Sequence, residues 1–202
     1  TCWESLKYNI ATILGMGLSG VANQGCDIGG FYGPAPEAEL LVRWIQNGIF
    51  QPRFSIHSTN IDNTVTEPWM YSNCTEYIRT AIKLRYRLFP YLYSLMERAH
   101  ETGLPIMEPM CSAFQNDPKC YEEGIDFMFG DSLLVANVVE KGTTNGTVTD
   151  MEGRFSLQVS PGAVLTVSYI GYIEQSIPVN GKNSFMIQLK EDSQALDEVV
   201  VV

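Results

Sequence analysis

The spacing of apolar residues changes near residue 142, and this change most limits what the chain can fold into. Before it, apolar residues recur every three or four positions, as on one face of a helix; after it they alternate, as in half-buried strands. All five Cys, all three Trp and both His lie before residue 121. We therefore predict two domains, at residues 1–142 and 143–202.

Charge and cysteine content exclude several classes of function. The net charge of -10 leaves no basic surface to neutralise phosphates, so we predict no nucleic-acid partner and favour a neutral one such as a sugar. Five cysteines with no C-x-x-C pair predict scattered free or buried thiols, with no metal site and no cofactor. No charged-then-apolar leader and no apolar run near the roughly 20 residues of a membrane span is present.

The first domain is predicted to alternate between helices and strands. Helical spacing of apolar residues covers 3–17, 34–50 and 74–102, and short strands are predicted at 21–26 and 104–110. This alternation is typical of an α/β barrel, in which functional residues lie at the carboxyl ends of the strands.

Asp27 falls at such a strand end, beside Gly29 and Gly30, where missing side chains let a ligand approach the backbone. A carboxylate there accepts hydrogen bonds from sugar hydroxyls, or it ties down its own tight turn. His57 lies in an irregular polar loop, which fits a binding residue or a structural histidine equally.

The loop that follows His57 brings Asp62 and Glu67 beside Trp69. Carboxylates next to an aromatic ring suit a sugar, whose CH-rich face stacks on the ring while its hydroxyls need acceptors. A solvated loop whose aromatic residues plug the mouth of a barrel explains the same residues. A third interpretation pairs Asp27 with Glu67 or Asp62 as two catalytic carboxylates.

A series of ordered motifs resembles glycoside hydrolase family 31 over about 135 residues. The motifs are Trp3–Leu6, Gly25–Phe31, Glu39–Gln46, Gln51-Pro52 with His57, Leu84–Tyr93, Pro105–Pro109 and Phe129–Val135. The resemblance implies an α/β fold, the C-terminal portion of a (β/α)8 TIM barrel.

Members of that family are mostly retaining α-glycosidases, which need a nucleophile and an acid/base carboxylate. In the family pattern both precede the segment that corresponds to Trp3, so the resemblance implies a fragment with no catalytic residue that is inactive alone. It places Asp27 and Phe31 in the sugar subsite and His57 on the sugar. The implied partner is an α-linked oligosaccharide or glycoside, and the parent enzyme would be periplasmic or secreted.

One departure from the family pattern concerns the residues before His57. The family often has Arg two positions before this histidine, whereas this chain has Ser55 there and Arg53 four positions before. Together with the Asp62–Trp69 loop, the departure keeps an α-galactosidase or α-N-acetylgalactosaminidase type open beside an α-glucosidase type.

The second domain is predicted as a small all-β antiparallel sandwich. Its turn residues Gly153, Pro161-Gly162, Gly171 and Asn180-Gly181 separate runs of alternating residues. The predicted strands are 147–150, 155–159, 165–169, 174–179 and 185–189.

This half resembles the carboxypeptidase-regulatory-like domain of SusC-type TonB-dependent transporters. Its motifs are Gly146–Asp150, Gly153–Leu157, Val167–Tyr172 and Leu196–Val202. The resemblance implies a parent in the outer membrane and TonB as a partner of Leu196–Val202, which would add a strand to a sheet edge. The alternative is that Val199–Val202 is an edge strand of the sandwich itself. The rival function is thus a module of a polysaccharide-uptake system.

Both families account for Asn137–Gly142, where one resemblance fades and the other begins. We hypothesise that the chain is a chimera joined at this shared run.

Overall fold

The computed structural model of the protein describes residues 1–59, 61, 65–121, 125–135, 137–140, 146–148, 155, 157–167 and 175–190. The chain divides into two compact units: residues 1–109 with 127–134, and residues 110–126 with 135–202. The predicted boundary at residue 142 stays a prediction. Asp62 and Leu196–Val202, both named above, lie outside the described residues.

Three long helices dominate the first unit: α1 (Trp3–Leu18), α2 (Ala38–Gly48) and α3 (Thr75–Thr102). Gly103 ends α3 as predicted, because its φ of 74° is left-handed and its N–H donates to Ala99 O at 2.9 Å. Helix α2 begins four residues later than predicted. Pro36 keeps the residue before it extended, and the next residue, Glu37, is also extended. No helix in the described residues is long and apolar enough to cross a membrane.

Two short strands, β1 (Asp27–Ile28) and β2 (Ser55–Ile56), pair in parallel, with Asp27 opposite Ser55. The predicted strand at 21–26 is wrong, since pairing begins only at Asp27. Upstream, the N–H of Arg53 reaches Gln24 O at 3.1 Å, but Pro52 has no N–H to extend the ladder further.

Strands β3 (Met107–Pro109), β4 (Phe127–Phe129) and β5 (Leu133–Val135) form a separate sheet in that order. Strand β3 is antiparallel to β4, with Met107 opposite Phe129. It begins three residues later than predicted because Pro105 has no N–H and the N–H of Leu104 bonds to the Thr102 hydroxyl.

The core of the first unit lies between α2, α3 and these strands. Its most deeply buried apolar side chains are Ile28, Leu41, Trp44, Ile45, Ile78, Ile106, Met107, Phe127 and Phe129. The apolar stripe predicted on α2 is therefore the face that this helix buries.

The second unit contains the short helix α4 (Met110–Ala113), a 3-10 turn (Pro118–Tyr121) and a four-stranded sheet. Its strands are β6 (Asn137–Glu140), β7 (Gly146–Val148), β8 (Val164–Val167) and β9 (Gln175–Pro178). Their spatial order is β7-β6-β8-β9, and every neighbouring pair is antiparallel, as predicted.

Two predicted strands of this unit, at 155–159 and 185–189, are not strands where the structure describes them. Pro178 explains the second, because proline in a sheet belongs on an edge strand, and β9 is the edge. The apolar residues of both segments still cover the sheet. Phe155, Leu157, Val159 and Phe185 pack against a buried cluster of Ala163, Leu165 and Val179.

Candidate functional site

The loop Asp27–Phe31 leaves the carboxyl end of β1 and makes an immediate turn. Gly29 and Gly30 have φ of 89° and 86°, a region that side chains disfavour, and the N–H of Gly30 donates to Asp27 O at 3.0 Å. A backbone carbonyl therefore accepts the hydrogen bond of this turn, and the Asp27 side chain is available for other partners.

The Asp27 carboxylate meets Arg53, which lies four positions before His57. Arg53 Nη2 donates to Asp27 Oδ1 at 2.9 Å, and Nη1 donates to the carbonyls of Gly25 at 3.2 Å and Cys26 at 3.3 Å. The Asp27 side chain is 30% exposed. Among the described residues its Oδ2 has no further hydrogen-bond partner, so this oxygen can still accept a hydrogen bond.

Aromatic rings gather on the same loop. The Phe31 ring centroid lies 5.2 Å from that of His57, and 4.5 Å from that of Tyr32 in an edge-on contact. The N–H of Thr59 donates to Phe31 O at 2.8 Å, which fixes the His57 segment beside the loop. The structure thus brings together three predicted site residues: Asp27, Phe31 and His57.

The other predicted site residues belong to the segment after residue 64. This segment is tied to the same loops, because the N–H of Thr66 donates to Ser58 Oγ at 3.0 Å and Tyr71 OH donates to Pro36 O at 2.7 Å. Glu67 immediately precedes a 3-10 turn (Pro68–Met70), and Trp69 within that turn is 72% exposed. Asp62 is outside the described residues.

An open cavity of about 460 Å³ adjoins Asp27, Phe31, Tyr32 and Arg53. Ser5 and Asn9 of α1 also line it, and the sequence analysis missed both. Their spacing of four residues, which places both on one helix face, is the signal that could have revealed them. Glu67, Trp69 and His57 are not among the residues that line this cavity.

Behind Asp27, the Cys26 thiol takes part in a buried polar network. Gln51 Oε1 accepts from Cys26 N at 3.1 Å and from Cys26 Sγ at 3.3 Å, while Trp44 Nε1 donates to Cys26 Sγ at 3.1 Å. Gln51 Nε2 in turn donates to Asn47 Oδ1 at 3.1 Å. Burial raises the pKa of the Cys26 thiol above its ordinary value, so the thiol stays protonated at neutral pH.

All five cysteine thiols are free. Within the part of the chain that the structure describes, no group of three or more His, Cys, Asp or Glu side chains could hold a metal ion.

Family comparison separates the two halves of the chain. Residues 1–95 match the model of the glycosyl hydrolases family 31 TIM-barrel domain, and residues 125–201 match the CarboxypepD_reg-like domain. Both resemblances stated from the sequence are confirmed.

Known relatives agree with the first match. The chain is 44% identical over 147 residues to a probable glucan 1,3-alpha-glucosidase of Arabidopsis thaliana, which covers 72% of the chain and 16% of the relative. An Oryza sativa subsp. japonica relative of the same description is 37% identical over 192 residues, covering 95% of the chain and 19% of the relative. The chain thus spans less than a fifth of the length of these relatives.

Solved structures agree with the predicted fold class. A mutant of the Flavobacterium johnsoniae GH31 dextranase, complexed with isomaltotriose, is 36% identical with a TM-score of 0.64, over 70% of this chain and 18% of that one. These relatives and this structure agree with the match of residues 1–95 to the glycosyl hydrolases family 31 TIM-barrel domain, while residues 125–201 match the CarboxypepD_reg-like domain.

Proposed function

We propose that the first unit carries the sugar-contact part of an α-glycosidase and binds an α-linked glucoside at the Asp27 loop. One observation carries the proposal: Asp27 keeps a carboxylate oxygen free among the described residues, beside a cavity and the rings of Phe31 and His57. The names of the relatives support the choice of substrate class, since they are α-glucosidases and a dextranase complexed with isomaltotriose.

The chemistry of each group fits a sugar. Asp27 Oδ2 accepts from a sugar hydroxyl, while Arg53 holds Oδ1 and keeps the carboxylate oriented. The Phe31 ring offers a face for the CH groups of the sugar, and His57 adds a ring nitrogen for a second hydroxyl. Glu67 and Trp69 extend this binding surface in the proposal, and Asp62 stays a predicted sugar contact.

Binding and hydrolysis are separate in this proposal. A retaining α-glycosidase needs two carboxylates roughly 5–5.5 Å apart, and the family pattern puts both ahead of the segment that corresponds to Trp3. We therefore expect the 202-residue chain to bind sugar without turnover. Asp27 acts as a binding residue in this scheme.

Saturation-transfer NMR of the chain with isomaltose and with methyl α-galactoside tests the proposal and separates the two sugar types. We expect Asp27→Asn to weaken isomaltose binding by about tenfold, the value of one charge-assisted hydrogen bond. We expect His57→Ala to weaken it by up to about tenfold, the value of one ordinary hydrogen bond. His100→Ala is the matched control, because His100 is exposed in the last turn of α3. Unchanged binding by Asp27→Asn, with native circular dichroism, would rule the proposal out.

A further inference from the structure

Arg85 of α3 is a buried cation whose partners are all backbone oxygens. Its side chain hydrogen-bonds three carbonyls: Nη1 donates to Ile49 O at 2.8 Å and to Gln51 O, and Nη2 donates to Pro52 O at 2.7 Å. The residue is 6% exposed. These carbonyls belong to the end of α2 and the turn after it, where a helix leaves carbonyls without intrahelical donors.

No carboxylate in the described residues forms an ion pair with Arg85. The guanidinium lies instead 5.6 Å from the ring centroid of Phe54 and 5.8 Å from that of Phe89. Burial lowers the pKa of Arg85 to about 10, which still leaves it charged at neutral pH. A buried charge without a counter-ion is costly, and three carbonyls and two ring faces offset that cost only in this geometry.

The turn held by Arg85 carries the side chains that reach the Asp27 loop. Gln51 hydrogen-bonds Cys26, Arg53 pairs with Asp27, and the next residues form β2 beside β1. Gln51 and Arg53, the two side chains that contact the Asp27 loop, thus belong to one short turn. The Arg85 guanidinium holds that turn through its carbonyls.

We propose that Arg85 is a positioning residue for the Asp27 loop, acting through residues 49–53. Its hydrogen bonds to three carbonyls fix the positions of Gln51 and Arg53. These two residues in turn fix the position of the Cys26–Asp27 backbone and the orientation of the Asp27 carboxylate. The inference deepens the proposed function, since the loop is the one proposed to bind sugar. The proposal requires only that the Asp27 loop becomes more mobile when Arg85 is changed, and this can be measured without sugar.

The Cys26 thiol reports on this loop without any sugar. We expect Arg85→Lys in the full chain to raise the rate of Cys26 alkylation by iodoacetamide about tenfold. The single nitrogen of lysine cannot replace two guanidinium nitrogens at carbonyls that are spread over residues 49–52, so the loop opens more often. The rate is measured at fixed pH by mass spectrometry of the Cys26 peptide. Arg87→Lys, an exposed change two residues along α3, is the control and should leave the rate unchanged.

Cys74 distinguishes a local effect from general unfolding, because it is buried in the same unit at the start of α3. We expect Cys74 alkylation to stay at the parent rate in Arg85→Lys. If the Cys26 rate does not change, or if Cys74 and Cys26 become reactive together, Arg85 does not act on the loop and the proposal is overturned.

A rescue experiment gives a second, independent answer. In Arg85→Ala, millimolar guanidinium chloride should occupy the vacated space and slow Cys26 alkylation toward the parent rate, while equal sodium chloride should not. General denaturation by guanidinium would act in the opposite direction. Absence of slowing would contradict the proposal. Sugar binding is measured in a separate experiment. If the chain does not bind sugar, the alkylation rates still show whether Arg85 positions the Asp27 loop.

Discussion

Arg53 and Asp27 show how one ion pair can matter for geometry more than for stability. Both side chains are partly exposed, at 43% and 30%, so their pairing stabilises the fold by at most about 1 kcal/mol. The two residues lie on segments joined by the β1–β2 ladder, and two further hydrogen bonds from Arg53 go to carbonyls just before Asp27. The pair therefore fixes the direction of the carboxylate that we propose as a sugar contact.

The Cys26 thiol predicts a specific dependence of stability on pH. Its pKa is raised chiefly by burial and further by the Asp27 charge, against the hydrogen bonds that the thiol makes with Trp44 and Gln51. Because the folded state holds this proton more tightly than the unfolded state, the resulting stability is fully present below the ordinary pKa of 9.0 and is lost as pH rises through the folded pKa.

The measurement is the free energy of unfolding of the parent minus that of Cys26→Ala, taken from pH 7 to 11. We expect this difference to be constant up to about pH 9 and then to fall by up to about 1.4 kcal/mol per pH unit. Subtraction of the variant removes the other groups that titrate in this range. A difference that grows above pH 9 would contradict the assignment.

At the residue scale, the sequence predicts those site residues whose role follows from the residue type and its neighbours in sequence. Asp27, Phe31 and His57 stand in recognisable motifs, and the structure brings them together. The sequence does not single out Arg85, because three carbonyls distant in sequence decide its role. Hydrogen bonds to backbone carbonyls cannot be predicted from residue types, because every residue has a carbonyl.

At the scale of elements, helices were predicted better than strands. Local signals set helix ends: a glycine with left-handed φ ends α3, and proline delays α2. A strand exists only where a distant segment supplies its ladder, so β1 falls just after the predicted 21–26 segment and β3 is cut short by Pro105. The predicted 185–189 strand failed for the same reason, since an edge strand holding Pro178 ends the sheet.

The backbone just before β1 passes close to the backbone just before β2, and this close approach depends on Gly25. A Cβ at Gly25 would lie 1.9 Å from the carbonyl oxygen of Arg53, an overlap that only a backbone shift can relieve. We expect Gly25→Ala to destabilise the first unit by about 1–3 kcal/mol and to weaken sugar binding, as judged by thermal unfolding and by NMR titration.

Gly15→Ala is the matched control for this change. Gly15 lies within α1 and a Cβ there meets nothing within 4 Å, so alanine should stabilise the helix by about 0.5–1 kcal/mol. Equal stability of the two variants would mean that the close approach at Gly25 is not required.

At the scale of the whole molecule, the composition shift predicted two domains, and two compact units and two family matches are found. The position of the boundary stays a prediction, because residues 110–126 group with the second unit and one relative aligns over 192 residues. The chimera hypothesis likewise stays a prediction. A residue pattern reports local periodicity, whereas the membership of a linking segment depends on which core it packs against.

Each unit has its own apolar core, and this predicts a local response to a core substitution. Leu165 of β8 is 3% exposed within the cluster that includes Ala163 and Val179, so Leu165→Ala should cost about 2–5 kcal/mol in the second unit. Hydrogen exchange read by mass spectrometry should show faster exchange in β8 and β9, while α3 keeps the exchange rates of the parent. Met186→Ala is the control, since Met186 is fully exposed and its loss should change stability by less than about 0.5 kcal/mol. If α3 lost protection together with β8, the two units would unfold as one cooperative body, and the division of the chain into separately stable units would be wrong.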